Sequence, residues 1–411
     1  MTVAIVGGGI AGLYTALLYS DTYPEQKISI YEASGRWGGH IDTYYGSSIQ
    51  YEKGAGRFNN HHRLLNALIQ RFGLTPIPIV SKKLSCEYDS FPEPDTQQTR
   101  DASKTYESMT YGEYLEKRYS KQYRKVVQET FGYDAEFDKM NASDAIRMFQ
   151  TDFRSNSQYF ALKEGLSELV RRIVDTLRKR PNIHLYLRHT LMKWTATNGF
   201  NLTFVSQGQH NKERIVSVNA NRLYLALPKN ALIKLCSSSP LRPLKPILNS
   251  VESVPLHRIY GRFTEASAYP DKRTTTRLDI RQYIPIHPEM KVSMVSYSDT
   301  HAANRWHALY VKDRIAFKST LEQMLSKMFQ SCSPQQQVNA PDYKLRWVRS
   351  YYWPAGVHVW KAGVSSDTIA HQLRQPLGLL IPCFIVGEAY SQHQGWIEGA
   401  LQTVQQALRH S

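Results

Sequence analysis

The opening of the chain, Met1 to His40, restricts the fold more than any other stretch. A short apolar run, Val3 to Val6, leads into Gly7, Gly9 and Gly12 in G-x-G-x-x-G spacing, and apolar residues at helical intervals follow from Ile10 to Leu18. Strand, tight turn and helix in that order form the phosphate-gripping half of a βαβ unit. Gly7 permits the turn, Gly9 lets the backbone approach a pyrophosphate, and Gly12 lets the helix lie close on the strand. The first helical residues, Ile10 and Ala11, bring unpaired N–H groups and the positive end of the helix dipole to an anion. A second strand, Lys27 to Tyr31, ends at Glu32, twenty residues beyond Gly12, where a carboxylate can accept hydrogen bonds from an adenosine ribose. A glycine triplet alone would be weak; strand, helix and acid at their proper distances predict a dinucleotide site.

The 411 residues suffice for one large or two interleaved domains with an ample core. Hydrophobic content of 42%, including 11% aromatic residues, excludes a disordered chain. The net charge of +16 is spread along the whole length without a long basic run. A solvated basic surface accounts for it, and attraction to nucleic acid or to an anionic surface stays open. Cys86, Cys236, Cys332 and Cys383 are far apart with no C-x-x-C, so neither a zinc site nor a dense disulfide framework is expected, and no metal. No apolar stretch is long enough to span a bilayer. Because the glycine motif starts at once, no room is left for a signal peptide, and the expected location is cytoplasmic.

The run after the second strand, Glu32-Ala33-Ser34-Gly35-Arg36-Trp37-Gly38-Gly39, resembles the E-A-x-x-R-x-G-G-R segment of the flavin-dependent amine oxidases, the family of monoamine, polyamine and L-amino-acid oxidases. The resemblance implies FAD, with Ala33 beside Glu32 on the cofactor and with Arg36, Gly38 and Gly39 along its pyrophosphate and flavin. The last arginine of the pattern is His40 here, so one positive charge is lost or made dependent on pH. Lys53 to Leu74 resembles the x-x-G-x-x-R-h-P-x-x-x-H segment of L-amino-acid oxidases. That match implies cofactor contacts from Gly54, Ala55 and Gly56 and a substrate-carboxylate clamp at Arg57, whose planar fork can hold two oxygens; pairing with an acid or with the flavin is the alternative.

The closing segment, Pro382 to Ala407, resembles the family's G-E-x-x-x-x-x-x-G-[YW]-x-x-G-A motif. By that likeness Gly387 and Glu388 contact the FAD ribityl and phosphates, the helix start at Ile397 faces the flavin pyrimidine, and Trp396 is one wall of an aromatic cage. The aromatic run Leu345 to Trp360 resembles the segment bearing the other wall, best matched by Tyr352, though an aromatic stripe can equally be core. On the strand Val254 to Phe263, Arg258 falls where many relatives carry a lysine that holds a water at flavin N5. Arginine does not give up its proton, so water positioning is the role left to it, while His257 reads as a base or as a satisfied sheet residue. A backbone group near His189 to Leu191, represented by Leu191, would hold the adenine. With no cysteine in the aromatic segment, the FAD is expected to be noncovalent.

The cofactor motifs lie at opposite ends of the chain. The resemblance therefore implies an α/β protein whose Rossmann-like FAD-binding domain is built from discontinuous segments, residues 1–60, 160–250 and 345–411. An α+β substrate domain is inserted as residues 61–159 and 251–344, the two-domain architecture of amine oxidases and glutathione reductase-like flavoproteins. Helical patterns at Tyr111 to Glu129 and Ala142 to Phe149 belong to the insertion; Ser81 to Lys104 reads as a surface loop, Gln207 to Glu213 as a turn and Ser331 to Asp342 as a connector. The implied reaction takes a hydride from the α-carbon of an amine, first of all an L-amino acid, and yields an imine and, with dioxygen, hydrogen peroxide. Alternatives are a polyamine or monoamine oxidase, a flavin isomerase or desaturase, and a catalytically inactive protein that holds FAD.

Overall fold

A computed structural model describes residues 1–79, 106–154, 156–208, 212–267, 269–332 and 343–409. The loop read over Ser81 to Lys104, most of the connector Ser331 to Asp342, the middle of the turn Gln207 to Glu213 and Cys86 lie outside the described residues.

The first strand, Thr2–Val6, is the centre of a five-stranded sheet ordered Cys383–Ile385, Arg222–Leu225, Thr2–Val6, Lys27–Tyr31, Ile183–Tyr186. All four pairings are parallel, with Ile5 opposite Ile30 on one side and Tyr224 on the other. A parallel sheet is covered on both faces, which is why these strands read as unbroken apolar runs. One face carries the helices Ile10–Thr22, Leu166–Arg178 and Ile397–Leu408, packed through Leu13, Leu17, Ile173, Leu401 and Val404. The other meets a three-stranded antiparallel sheet, Glu213–Ala220, Phe200–Gln207 and His189–Ala196, through Trp194, Leu202 and Phe204.

The second body is a five-stranded antiparallel sheet ordered Thr274–Thr275, Gln282–His287, Val292–Asp299, Val251–Phe263, Leu345–Trp360. Helices Thr300–Lys312 and Arg314–Cys332 cover one face of it, and the helical insertion from Tyr111 to Asp152 forms a separate aromatic core around Tyr111, Phe137 and Phe149.

Three boundaries differ from the reading of the sequence. The strand Leu345–Trp360 pairs along its length with Val251–Phe263, so residues 345–360 belong to the second sheet and not to the cofactor body. Helix Arg63–Arg71 sends Leu65, Leu68 and Ile69 into the cofactor-side core, because the Glu398 carboxylate accepts the Leu64 and Leu65 N–H groups at 3.0 and 2.9 Å and fixes the helix start there. The pattern Tyr111 to Glu129 is two helices, Tyr111–Arg118 and Lys121–Phe131, separated where Ser120 caps the second by accepting from Tyr123 N. Asn141 caps Ala142–Asp152, as one of the two residues expected to do so.

Candidate active site

Glycine is required at the turn after the first strand. Gly7 has φ +110°, and a Cβ there would stand 2.2 Å from the Ala226 carbonyl oxygen; a Cβ on Gly12 would stand 2.0 Å from the Gly7 oxygen. Gly9 precedes the helix Ile10–Thr22 without any side-chain cap, leaving its first N–H groups open. Glu32 reaches back across the turn, accepting from Gly8 N at 2.7 Å and Ser34 N at 2.8 Å. Gly38 N donates to Gly8 O at 2.8 Å, which lays the Gly38-Gly39 pair alongside the turn. Arg36 braces that pair: its guanidinium donates to the carbonyls of Gly39 (2.6 Å) and Ile41 (3.0 Å).

The segment Gly54 to Arg57 runs close beside it. A Cβ on Gly54 would meet His40 O at 1.9 Å, and Ala55 N donates to that same oxygen at 2.9 Å. His40 sits edge-on to Trp353 with 5.2 Å between rings, and burial holds its pKa below the ordinary value. The ring is therefore neutral near pH 7, so His40 does not itself carry the charge of the arginine it replaces in the motif.

The closing motif supplies the facing wall. Glu388 accepts from His358 N (3.0 Å), His358 Nδ1 (2.7 Å) and Gly395 N (2.8 Å). Burial opposes its ionisation, but the His358 ring and the two N–H groups more than offset this and hold the carboxyl below its usual pKa. His358 Nε2, enclosed on the cavity wall, is left with no partner. Trp396 opens the helix Ile397–Leu408, again with no side-chain cap.

These parts enclose a cavity of about 940 Å³. Gly7, Gly9, Ile10, Ala11, Glu32, Ala33, Arg36, Gly38, Gly39, Gly54, Ala55, Gly56, Arg57, Leu191, Gly387, Glu388, Trp396 and Ile397 all line it, and so does Arg258. Gly12 does not, in keeping with its packing task.

Arg57 lies with its guanidinium carbon 5.1 Å from the Tyr159 ring centre and 5.7 Å from that of Trp396, and has no carboxylate partner among the described residues. Behind Trp396, the His62 ring stands edge-on at 4.8 Å, and the buried Asp152 carboxylate accepts from Nε2 of His62 (3.1 Å) and of His393 (2.8 Å). Nδ1 of His62 accepts from Asn59 N at 3.3 Å and that of His393 from Gln402 at 3.4 Å, so the Nε2 atoms carry the protons. This satisfied network fixes the wall on which Arg57 rests.

Arg258 donates to Glu52 O at 3.1 Å and lies 4.6 Å from the Tyr297 ring centre. His257, one residue earlier on the strand, faces the other way; it bonds Ser350 at 2.6 Å, and burial, then His307, push its pKa down to about 3. It does not line the cavity. Neither does Tyr352, which corrects its expected place as a cage wall. Tyr352 is the cross-strand partner of His257, stacks on His307 at 3.9 Å and donates to Asn304 at 2.7 Å. The neighbour of opposite parity, Trp353, lines the cavity instead, tethered by its Nε1–H to Lys53 O at 2.8 Å.

The sequence profile of the flavin containing amine oxidoreductase family matches residues 10–99. An uncharacterized protein of Acanthamoeba polyphaga mimivirus is 23% identical over 99% of this chain and 92% of its own length. The L-amino-acid oxidase of Mus musculus is 39% identical over 74 residues, 18% of this chain and 11% of that protein. A solved structure of a putrescine oxidase triple mutant with redesigned cofactor binding superposes with a TM-score of 0.75, covering 100% of this chain and 99% of the other at 13% identity. The likeness to the flavin-containing amine oxidases thus rests on one matched segment, residues 10–99, and on the shared fold. The chain shares the two-domain fold of FAD-dependent amine oxidases.

The residues present suit that cofactor: glycines where any Cβ would strike backbone, two uncapped helix starts on one cavity, and an unpartnered His358 Nε2 on its wall. Among the described residues no helix is long and apolar enough to cross a membrane. Sequence reasoning missed several residues of the cavity, above all Glu136, Tyr133 and Tyr297, which line it with Arg57. The one available signal was the acidic cluster Tyr133-Asp134-Ala135-Glu136 at a helix start within a basic chain.

Proposed function

We propose that this protein is an FAD-dependent amine oxidase that acts on an L-amino acid. The observation that supports the reading is Arg57, a charged fork held against Trp396 and Tyr159, on the wall of the cofactor cavity and without a carboxylate of its own among the described residues. A bound α-carboxylate would complete it with two parallel charge-assisted hydrogen bonds. The similarity of one segment to a protein named L-amino-acid oxidase agrees with this.

The chemistry that FAD would supply when bound is two-electron oxidation of the substrate carbon, with dioxygen as the final electron acceptor. The protein's share is placement. Arg57 anchors the carboxylate, and Trp396 and Trp353 restrict the amine and exclude water. Arg258, immobilised by Glu52 O and the Tyr297 ring, orients polar groups without moving a proton. Noncovalent FAD is supported by two cysteines among the described residues, Cys236 and Cys383, which are buried and do not line the cavity.

A second reading, a carboxylate-free amine as substrate, is favoured by Glu136 and Asp299 on the same wall. The test is anaerobic mixing of the FAD-loaded protein with L-amino acids, polyamines and simple amines while flavin absorbance is followed. Bleaching by L-amino acids supports the proposal; bleaching only by amines without a carboxylate refutes it in favour of the second reading.

A further inference from the structure

Four carboxyl groups line the cavity: Glu32, Glu136, Asp299 and Glu388. Three of them are committed. Glu32 accepts the N–H groups of Gly8 and Ser34, Glu388 is held by His358 and Gly395, and Asp299 accepts Asp134 N and Ala135 N, the latter at 2.8 Å. Glu136 alone among these four has no hydrogen bond to another described residue, and its Oε2 is without a partner and closed off from solvent. It stands on the helix Ala135–Asp138, which Asp299 caps, within the electrostatic reach of Arg57.

We propose that Glu136 is a catalytic residue that receives the substrate's ammonium group and takes its proton. An amine in water near neutral pH is mostly an ammonium ion, which has no lone pair to assist loss of hydride from the neighbouring carbon. In the proposed step one N–H bond of the ammonium breaks, its electron pair stays on nitrogen, and an O–H bond forms on the Glu136 carboxylate. Neither an oxidant nor a reductant is involved. Arg57 would hold the other end of an amino acid, so the inference deepens the proposed function; the ammonium contact itself does not need a carboxylate.

The surroundings suit a carboxyl that changes state. Burial, then the charge of Asp299, push the Glu136 pKa up to about 8; its own backbone N–H and Arg57 work against this, and Asp134 on its own turn adds to it. Arg258, Tyr133 and Tyr297 line the same cavity. An arriving ammonium supplies the positive partner that ionises the group, so binding below pH 8 must expel a proton and binding above it need not.

The test uses ligands that cannot be oxidised because the nitrogen-bearing carbon has no hydrogen: α-aminoisobutyrate and tert-butylamine, with isobutyrate as the form lacking the ammonium. Calorimetry of the FAD-loaded protein in two buffers of different ionisation enthalpy counts protons. About one proton should be released per α-aminoisobutyrate bound at pH 6 and almost none at pH 9. Glu136→Gln should abolish that pH dependence and weaken both ammonium ligands at least about tenfold, leaving isobutyrate within about twofold; flavin reduction by substrate at pH 7 should slow by about a hundredfold. Equal proton release at both pH values in the wild-type protein overturns the proposal whether or not the variant folds. So does unchanged ammonium affinity in the variant, or failure of both ammonium ligands to bind. Binding of tert-butylamine with the expected proton count, but not of α-aminoisobutyrate, would sink the amino-acid reading and leave the role of Glu136 standing.

Discussion

Replacing Arg57 by lysine keeps the positive charge and removes the planar fork, so it isolates geometry from charge. In the structure the guanidinium is oriented by two aromatic rings, with carbon-to-centre distances of 5.1 and 5.7 Å, and no protein carboxylate competes for its N–H groups among the described residues. Its loss therefore falls on the ligand. A hydrogen bond to a charged group contributes about 1.5–3 kcal/mol. Losing one of the two parallel bonds should raise KM for an L-amino acid by about 10- to 150-fold. The same change should leave KM for an amine without a carboxylate within a few-fold, and the bound FAD, measured by its absorbance per protein, unaltered. Steady-state peroxide production with paired substrates, an L-amino acid and the corresponding decarboxylated amine, reads the ratio directly. An unchanged KM for the amino acid would remove Arg57 from carboxylate binding, and a loss equal for both substrates would assign it to the wall of the cavity instead.

Gly12→Ala forces a Cβ to 2.0 Å from the Gly7 carbonyl oxygen, and the helix must shift off the strand; loss of about 1–3 kcal/mol of stability and of most bound FAD is expected, read by thermal unfolding and flavin absorbance. Trp353→Ala should lower stability by about 3 kcal/mol and slow flavin reduction, whereas Tyr352→Phe, on the far face of the strand, should leave kcat/KM within about twofold; the reverse ranking would restore Tyr352 as the cage wall. The raised pKa of Glu136 means that the folded protein holds this proton more tightly than the unfolded chain. Its contribution to stability is greatest below pH about 4.5 and falls as pH rises to about 8, by up to about 1.4 kcal/mol per pH unit, and the Tm difference between wild type and Glu136→Gln across that window should change accordingly.

The ends of the chain were legible because their chemistry is local. Gly7, Gly9 and Gly12 answer to backbone contacts within one turn, and Gly387, Glu388 and Trp396 to one strand, turn and helix, so spacing along the chain carries the signal. Glu136 was not legible. It owes its importance to Arg57 and Asp299, which reach it from 79 residues before and 163 residues after, and nothing near it in sequence announces either. The reading of Tyr352 as a cage wall missed for a different reason. A strand turns alternate residues to opposite faces, and the run Tyr351-Tyr352-Trp353 puts an aromatic ring on both, so the pattern that normally reports register is silent there. The same parity separates Arg258 from His257 on the paired strand, where a charged residue beside a histidine offered no better clue.

One inner strand of the cofactor sheet gains its neighbours from segments far apart in sequence. Arg222–Leu225 lies between Thr2–Val6 and Cys383–Ile385, and the helix Ile397–Leu408 closes the cavity only after both. A ribosome extending this chain thus delivers the first phosphate-binding turn hundreds of residues before the part that completes the pocket. Until residue 408 has cleared the exit tunnel, the nascent protein exposes one apolar sheet edge and half a binding surface. Capture of a dinucleotide accordingly waits on the helix Ile397–Leu408, and cofactor supplied before it has emerged meets only part of the pocket.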